Sequence, residues 1–145
     1  MKVRPMKPSD RQAVAAIYLR DRELYFPWVA KPNLADFDHD SSGEALFVAE
    51  VNGQIAGFAS LIRVLDFIHL LFVAPEFRHQ GVGHALIERM RQEAIGSLTL
   101  KCVINNEAAL KFYAGEGFAI RREDRIAVPA NYTLIDVSDR VANKQ

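Results

Sequence analysis

Residues 67–103 read FIHLLFVAPEFRHQGVGHALIERMRQEAIGSLTLKCV, and the order of signals within them decides the fold. An apolar run of strand length stops at Pro75. A helical pattern follows with Val82, Ala85, Leu86, Met90 and Ala94 on one face, and Gly96 ends it before the alternating strand Leu98 to Val103. Strand, helix and strand at this length imply a right-handed crossover between parallel neighbours. The expected elements are a strand over 66–74, a helix over 82–95 and a strand over 98–103.

Upstream, Asn52-Gly53 between two β-rich runs is the strongest hairpin signal in the chain, pairing 45–51 with 54–63 in antiparallel fashion. A short strand at 2–6 precedes a helix that Ser9 or Asp10 can cap, running to Leu24 with Val14, Ile17 and Tyr18 on its apolar face. The two prolines of YFPWVAKPN, residues 25–33, must leave regular helix. Downstream, a helix over 107–115 can be capped by Asn105 or Asn106, and strands over 117–126 and 131–138 follow. The sum is an α/β chain of the α+β kind, one domain over 1–145, whose mixed sheet is antiparallel in front and parallel in the middle.

Composition excludes several function classes. Eighteen Lys plus Arg balance eighteen Asp plus Glu, so no large positive field exists to gather nucleic acid or anionic lipid. No apolar stretch reaches the roughly 20 residues that span a bilayer, so no membrane partner and a cytoplasmic location are expected. The single cysteine, Cys102, reads as a small buried apolar residue, with a catalytic thiol as the other reading. His39 between Asp38 and Asp40 lacks any fixed ligand spacing, so no metal is expected.

The glycines of RHQGVG, Arg78 to Gly83, sit where a strand hands over to a helix. The first turn of such a helix carries free N–H groups and the positive end of its dipole, which together hold an anion. Gly81 and Gly83 leave the backbone bare there, and Arg78, His79 and Gln80 line the rim around Val82. Taken by themselves, two glycines near a helix start read first as a plain turn. The third glycine of a dinucleotide fingerprint would fall at Leu86, which argues against that fold.

Farther on, NEAALKFYAGEGF covers Asn106 to Phe118. Together the two motifs, Arg78, Gly81, Gly83 and then Asn106, Ala109, Phe112, Tyr113, Gly117, Phe118, resemble the Gcn5-related N-acetyltransferase family. That family combines an [RQ]xxGxG/A loop with NxxAxxFYxxxGF. FIHLLFVAPEFR is also similar to the FIHxLxV strand of a bacterial subgroup. The resemblance implies a twisted mixed sheet flanked by helices on both faces, whose two central parallel strands splay so that the pantetheine of acetyl-CoA lies between them. It implies pyrophosphate on the Arg78 to Gly83 loop, and pantetheine on the strand Leu71, Phe72 and Val73 and beside Asn106, Ala109, Phe112 and Tyr113.

The implied reaction is direct transfer of acetyl to a primary amine of a small molecule or peptide. The Leu71 N–H would polarise the carbonyl and the Tyr113 hydroxyl would serve the departing sulfur. The position where histone-type relatives carry a glutamate base is Phe67 here. His69 has the right chemistry for a base and reads equally as a histidine satisfied within the sheet; Glu44 and Asp66 are the alternatives, and a water chain needs none. A bulge on this strand would change which face His69 takes. The missing strand glutamate leaves open a non-catalytic acyl-CoA-binding regulatory module, and a protein modifier is a third reading. Acceptor contacts are expected from Trp28 and Glu44, with Phe26 as a hydrophobic plug, and from Asp66 and His69. The apolar strand Tyr132 to Val137 suggests a homodimer through an open edge.

Overall fold

Asn52 and Gly53 take left-handed φ values of 51° and 78°, the geometry of a tight hairpin turn, and join β2 (Ala45–Val51) to β3 (Gln54–Ile62). The computed structural model describes residues 1–25, 33 and 35–138. β1 (Lys2–Pro5) pairs with β2, and a 3-10 turn at Pro8–Asp10 leads into α1 (Arg11–Tyr25). Asp10 anchors this start: its carboxylate accepts the Lys7 N–H at 2.8 Å and pairs with Arg4 at 2.7 Å.

A short α2 (Asp36–Asp40) follows where sequence showed only a polar stretch. Phe37, 1% exposed, holds it against α1 by an edge-on contact to Tyr18 at 6.2 Å. The middle of the chain then gives β4 (Phe67–Val73), α3 (Val82–Glu93), β5 (Thr99–Val103), α4 (Glu107–Gly115), β6 (Phe118–Asp124) and β7 (Asn131–Asp136).

Among the described residues seven strands form one sheet in the order β1-β2-β3-β4-β5-β7-β6. β4 and β5 are its parallel pair, and every other neighbour is antiparallel. One face is covered by α1 and α2 around Val14, Tyr18, Phe37, Val48, Phe58 and Leu70. The other is covered by α3 and α4 around Val82, Leu86, Met90, Leu100 and Phe118. β7 lies between β5 and β6, so the Tyr132 to Val137 strand has both edges paired and cannot be the open edge of a dimer; β6 holds the edge instead. Among the described residues no helix is long and apolar enough to cross a membrane.

Candidate functional site

The central parallel pair is joined over only two residues, Phe67 with Thr99 and Ile68 with Leu100. Beyond that point β4 and β5 diverge. The cause is local: in the β3 ladder Leu61 pairs with Ile68 and Ser60 with Leu70, leaving His69 as one extra residue. A bulge bends its strand and increases its twist, and here it stands where the ladder to β5 stops. It also changes the alternation, because Ile68 enters the α3-side core while Leu70 enters the α1-side core. The Leu70 N–H is received by the fully buried Ser60 hydroxyl at 3.1 Å.

The same register fixes which backbone groups line the gap. Ala74 donates to the Ala56 carbonyl at 2.8 Å, so Ala74 and Phe72 face β3. Leu71 and Val73, in the intervening positions, turn their N–H and C=O groups toward the side that β5 has left. Phe72 departs from expectation here. Its backbone serves the β3 ladder and its ring stacks on Phe58 at 5.5 Å, which takes it out of the gap.

The gap opens toward the exposed turn of His79, Gln80 and Gly81. His79 and Gly81 both have left-handed φ, 62° and 82°, and Gly81 is the residue before α3. Gln80 donates to the Glu76 carbonyl at 3.3 Å, closing the turn from within. The two glycines serve different ends. Gly81 meets a conformational need, whereas a Cβ on Gly83 would fall 2.9 Å from the Phe112 ring, so Gly83 lets α4 approach α3. Val82 sends its side chain into the core, leaving only its backbone at the helix start. Arg78 pairs with Asp21 on α1 at 3.2 Å, a partner that nothing in the sequence marked.

α4 forms the far wall. Asn106 caps it, its side-chain oxygen accepting the Ala109 N–H at 3.1 Å. Ala109, Phe112 and Tyr113 pack on the α3-side core, and the Tyr113 ring meets Phe112 at 5.1 Å and Phe118 at 5.7 Å. Tyr113 also lies beside Cys102 on the diverging part of β5. Burial first, and then Cys102, push its phenol above the ordinary tyrosine range, so it stays protonated. Burial pushes the Cys102 thiol up to about 11, which makes it an inert core residue and sets aside the catalytic-thiol reading.

His69 and Glu44 come together although they are 25 residues apart. Nδ1 of His69 lies 2.7 Å and 3.0 Å from the two carboxylate oxygens of Glu44. Asp66 does not join them. It accepts the N–H groups of Ile95 at 3.1 Å and Gly96 at 2.8 Å, clamping the α3–β5 loop at the closed end of the sheet, and is thereby removed from the acceptor side. Phe26 and Trp28 lie outside the described residues, as does the tail at 141–145. His39 is 91% exposed and pairs with Asp40. His84, Glu88 and Glu116 gather their ligand atoms within 4.8 Å, but Arg91 pairs with Glu88 at 2.8 Å and approaches Glu116 to 3.8 Å, supplying a positive charge the cluster needs.

Sequence reasoning missed Ser60 and Asp21. A lone hydroxyl within the apolar run AGFASLI was the available signal for the first, and the second has none because the contact spans 57 residues.

Comparison with known proteins places this architecture. The model described as the Acetyltransferase (GNAT) family matches residues 11–118. The chain is 32% identical over 112 residues to the [ribosomal protein bS18]-alanine N-acetyltransferase of Escherichia coli K12, covering 72% of each. It is 34% identical over 74 residues to the peptidyl-lysine N-acetyltransferase YiaC of the same organism, covering 51% of this chain and 49% of that one. The structure of yncA from Salmonella typhimurium with its cofactor acetyl-CoA shares the fold, with a TM-score of 0.73 at 20% identity over 92% of this chain and 91% of that one. The motifs at Arg78 to Gly83 and Asn106 to Phe118, the divergent central strands and a family match over most of its length establish that this chain belongs to the GNAT family of N-acetyltransferases.

Proposed function

We propose that the chain transfers acetyl directly from acetyl-CoA to a primary amine, and that the amine belongs to a peptide or small molecule. The observation that carries this is the gap between β4 and β5, bordered by the outward N–H and C=O groups of Leu71 and Val73. The donor fits that geometry. An extended pantetheine can take the ladder bonds that β5 gave up, and a pyrophosphate can meet the amides at the start of α3 beside Gly81, with Arg78 and His79 at the rim. When bound, acetyl-CoA supplies a thioester carbonyl for the amine to attack and a thiolate that departs.

Each residue then has a task. The Leu71 N–H donates to the carbonyl oxygen as charge grows on it. Tyr113 keeps its proton in this buried setting and offers it as a hydrogen bond to sulfur. Complete transfer from a phenol to a thiolate is uphill by about 2 kcal/mol even at ordinary values, so Tyr113 stabilises the leaving group as a donor. Asn106 orients α4 through its cap. His69 takes the proton of the amine at Nε2, which makes no hydrogen bond to the described residues. A peptide amine is supported by the relatives named for acetylating ribosomal-protein alanine and peptidyl lysine. The regulatory-module reading drew on the absence of a strand carboxylate, and Glu44, just before β2, brings one to β4.

The test is release of free CoA thiol from acetyl-CoA with a panel of peptides bearing free α-amines, lysyl peptides and small amines. Steady thiol release with at least one acceptor is expected. Tyr113→Phe should lower kcat roughly tenfold to a hundredfold while leaving acetyl-CoA affinity within about threefold. Tight acetyl-CoA binding with silence across the whole panel, unchanged by Tyr113→Phe, would establish the regulatory module instead.

A further inference from the structure

We propose that Glu44 is a positioning residue for His69, and that the two act as one proton-accepting unit. This rests on the reading of His69 as the base. The Glu44 side chain is 9% exposed, and both of its oxygens stand within 3.0 Å of the same ring nitrogen. Among the described residues His69 is its ion-pair partner, and Glu44 is in turn the ionisable group within ion-pair distance of the imidazole. A buried carboxylate committed to one nitrogen settles the tautomer, because it accepts and cannot donate when ionised. The proton therefore resides on Nδ1, and Nε2 carries the free lone pair.

The placement follows from the fold. Glu44 immediately precedes β2, and its carboxylate reaches past β3 to the one residue of β4 that the ladder leaves out. Without the extra residue in β4, position 69 would be an ordinary ladder position. The bulge therefore sets the direction of the backbone gap and also frees the side chain that Glu44 captures.

The proton balance is simple. As the amine nitrogen bonds to the acetyl carbon and the carbon–sulfur bond breaks, the amine proton moves to Nε2. The resulting imidazolium is held between Glu44 and solvent, and it later returns the proton to water. The Glu44 carboxylate, 2.7 Å from Nδ1, stands opposite that charge.

Two measurements on the full chain test this. Imidazole 15N spectra of the free protein should show the Nδ1–H tautomer for His69, and Glu44→Gln should shift it toward the Nε2–H form. An Nε2–H tautomer in the unsubstituted protein would overturn the proposal, whatever the acceptor proves to be. In turnover with a reactive amine, Glu44→Gln should lower kcat roughly tenfold to a hundredfold with KM for acetyl-CoA unchanged, so that tautomer and kcat are the two readouts. Glu44→Asp should restore part of both. If Glu44→Gln only lowers the melting temperature and leaves the tautomer and kcat in place, Glu44 is structural and the transferase reading stands. If His69→Gln is as active as the parent, the base assignment fails along with its partner.

Discussion

Ser60 has no exposed surface, yet its hydroxyl lets β4 leave the regular ladder. Beside the bulge the Leu70 N–H donates to Ser60 Oγ at 3.1 Å. Ser60→Ala removes that acceptor and leaves a buried donor without a partner, at a cost of about 1–3 kcal/mol. For a chain of this length that predicts a fall in melting temperature of roughly 3–10 °C, measured by thermal or urea unfolding. The loss should be larger than for Ser60→Thr, which keeps the oxygen but crowds a site with no free surface. Turnover should fall in Ser60→Ala more than partial unfolding explains, because His69 takes its position from the same irregularity. A substitution that costs neither stability nor activity would show that the bulge holds itself. Gly83 illustrates the opposite kind of reading. Its place in the motif was legible, but its physical reason was not, since Phe112 approaches it from another helix.

Among the elements, α1 and the loop before α3 meet through Asp21 and Arg78. Burial pushes the Asp21 carboxyl up to about 6, against the opposing pull of Arg78 and then Arg20. Its folded-state value lies above the usual carboxylate value of about 3.9, so the stabilisation it gives is fully present below about pH 4 and is lost as pH rises through 6. Asn remains neutral throughout. Asp21→Asn should therefore match the parent near pH 4 and exceed it at pH 8 by on the order of 1 kcal/mol, allowing for the partly solvated carboxyl. Urea midpoints at the two values check this, and a deficit for Asn at pH 8 would mean that the ion pair outweighs burial. Most elements could be read from the chain because their signals are local: the Asn52-Gly53 turn, the Asn106 cap and the apolar stripe of α3 each lie within a few residues. α2 could not, since only Phe37 marks it among charged neighbours. The bulge entered the reading only through the family resemblance, because apart from His69 the residues of β4 are apolar on both faces and do not fix its register. The insertion of β7 between β5 and β6 depends on pairing across some thirty residues of sequence, which periodicity does not encode.

At the scale of the whole molecule, the sheet is two half-sheets held at one end. β1 to β4 form the first, β5, β7 and β6 the second, and only two residue pairs and the bond from Thr99 N–H to the Asp66 carbonyl join their strands directly. α3 ties them again: Arg91, 7% exposed, reaches Asp136 on β7 at 2.7 Å and the Glu116 carbonyl before β6. Beyond those pairs no ladder joins β4 to β5 among the described residues, and so the open end is the part of the molecule where a ligand changes most. In the free protein the amides of Leu71 and Val73 face the gap, whereas those of Phe72 and Ala74 are spent on β3. Hydrogen exchange resolved by residue should therefore alternate along β4, fast at 71 and 73 and slow at 72 and 74. Acetyl-CoA should slow the fast pair selectively, since an extended donor restores the missing ladder. At a concentration about 100 times its Kd it should also stabilise the fold by about 2.7 kcal/mol, which is roughly 5–10 °C in melting temperature for this length. Protection spread evenly over all four amides would place the donor elsewhere on the sheet, and the assignment of Leu71 to the carbonyl would fall with it.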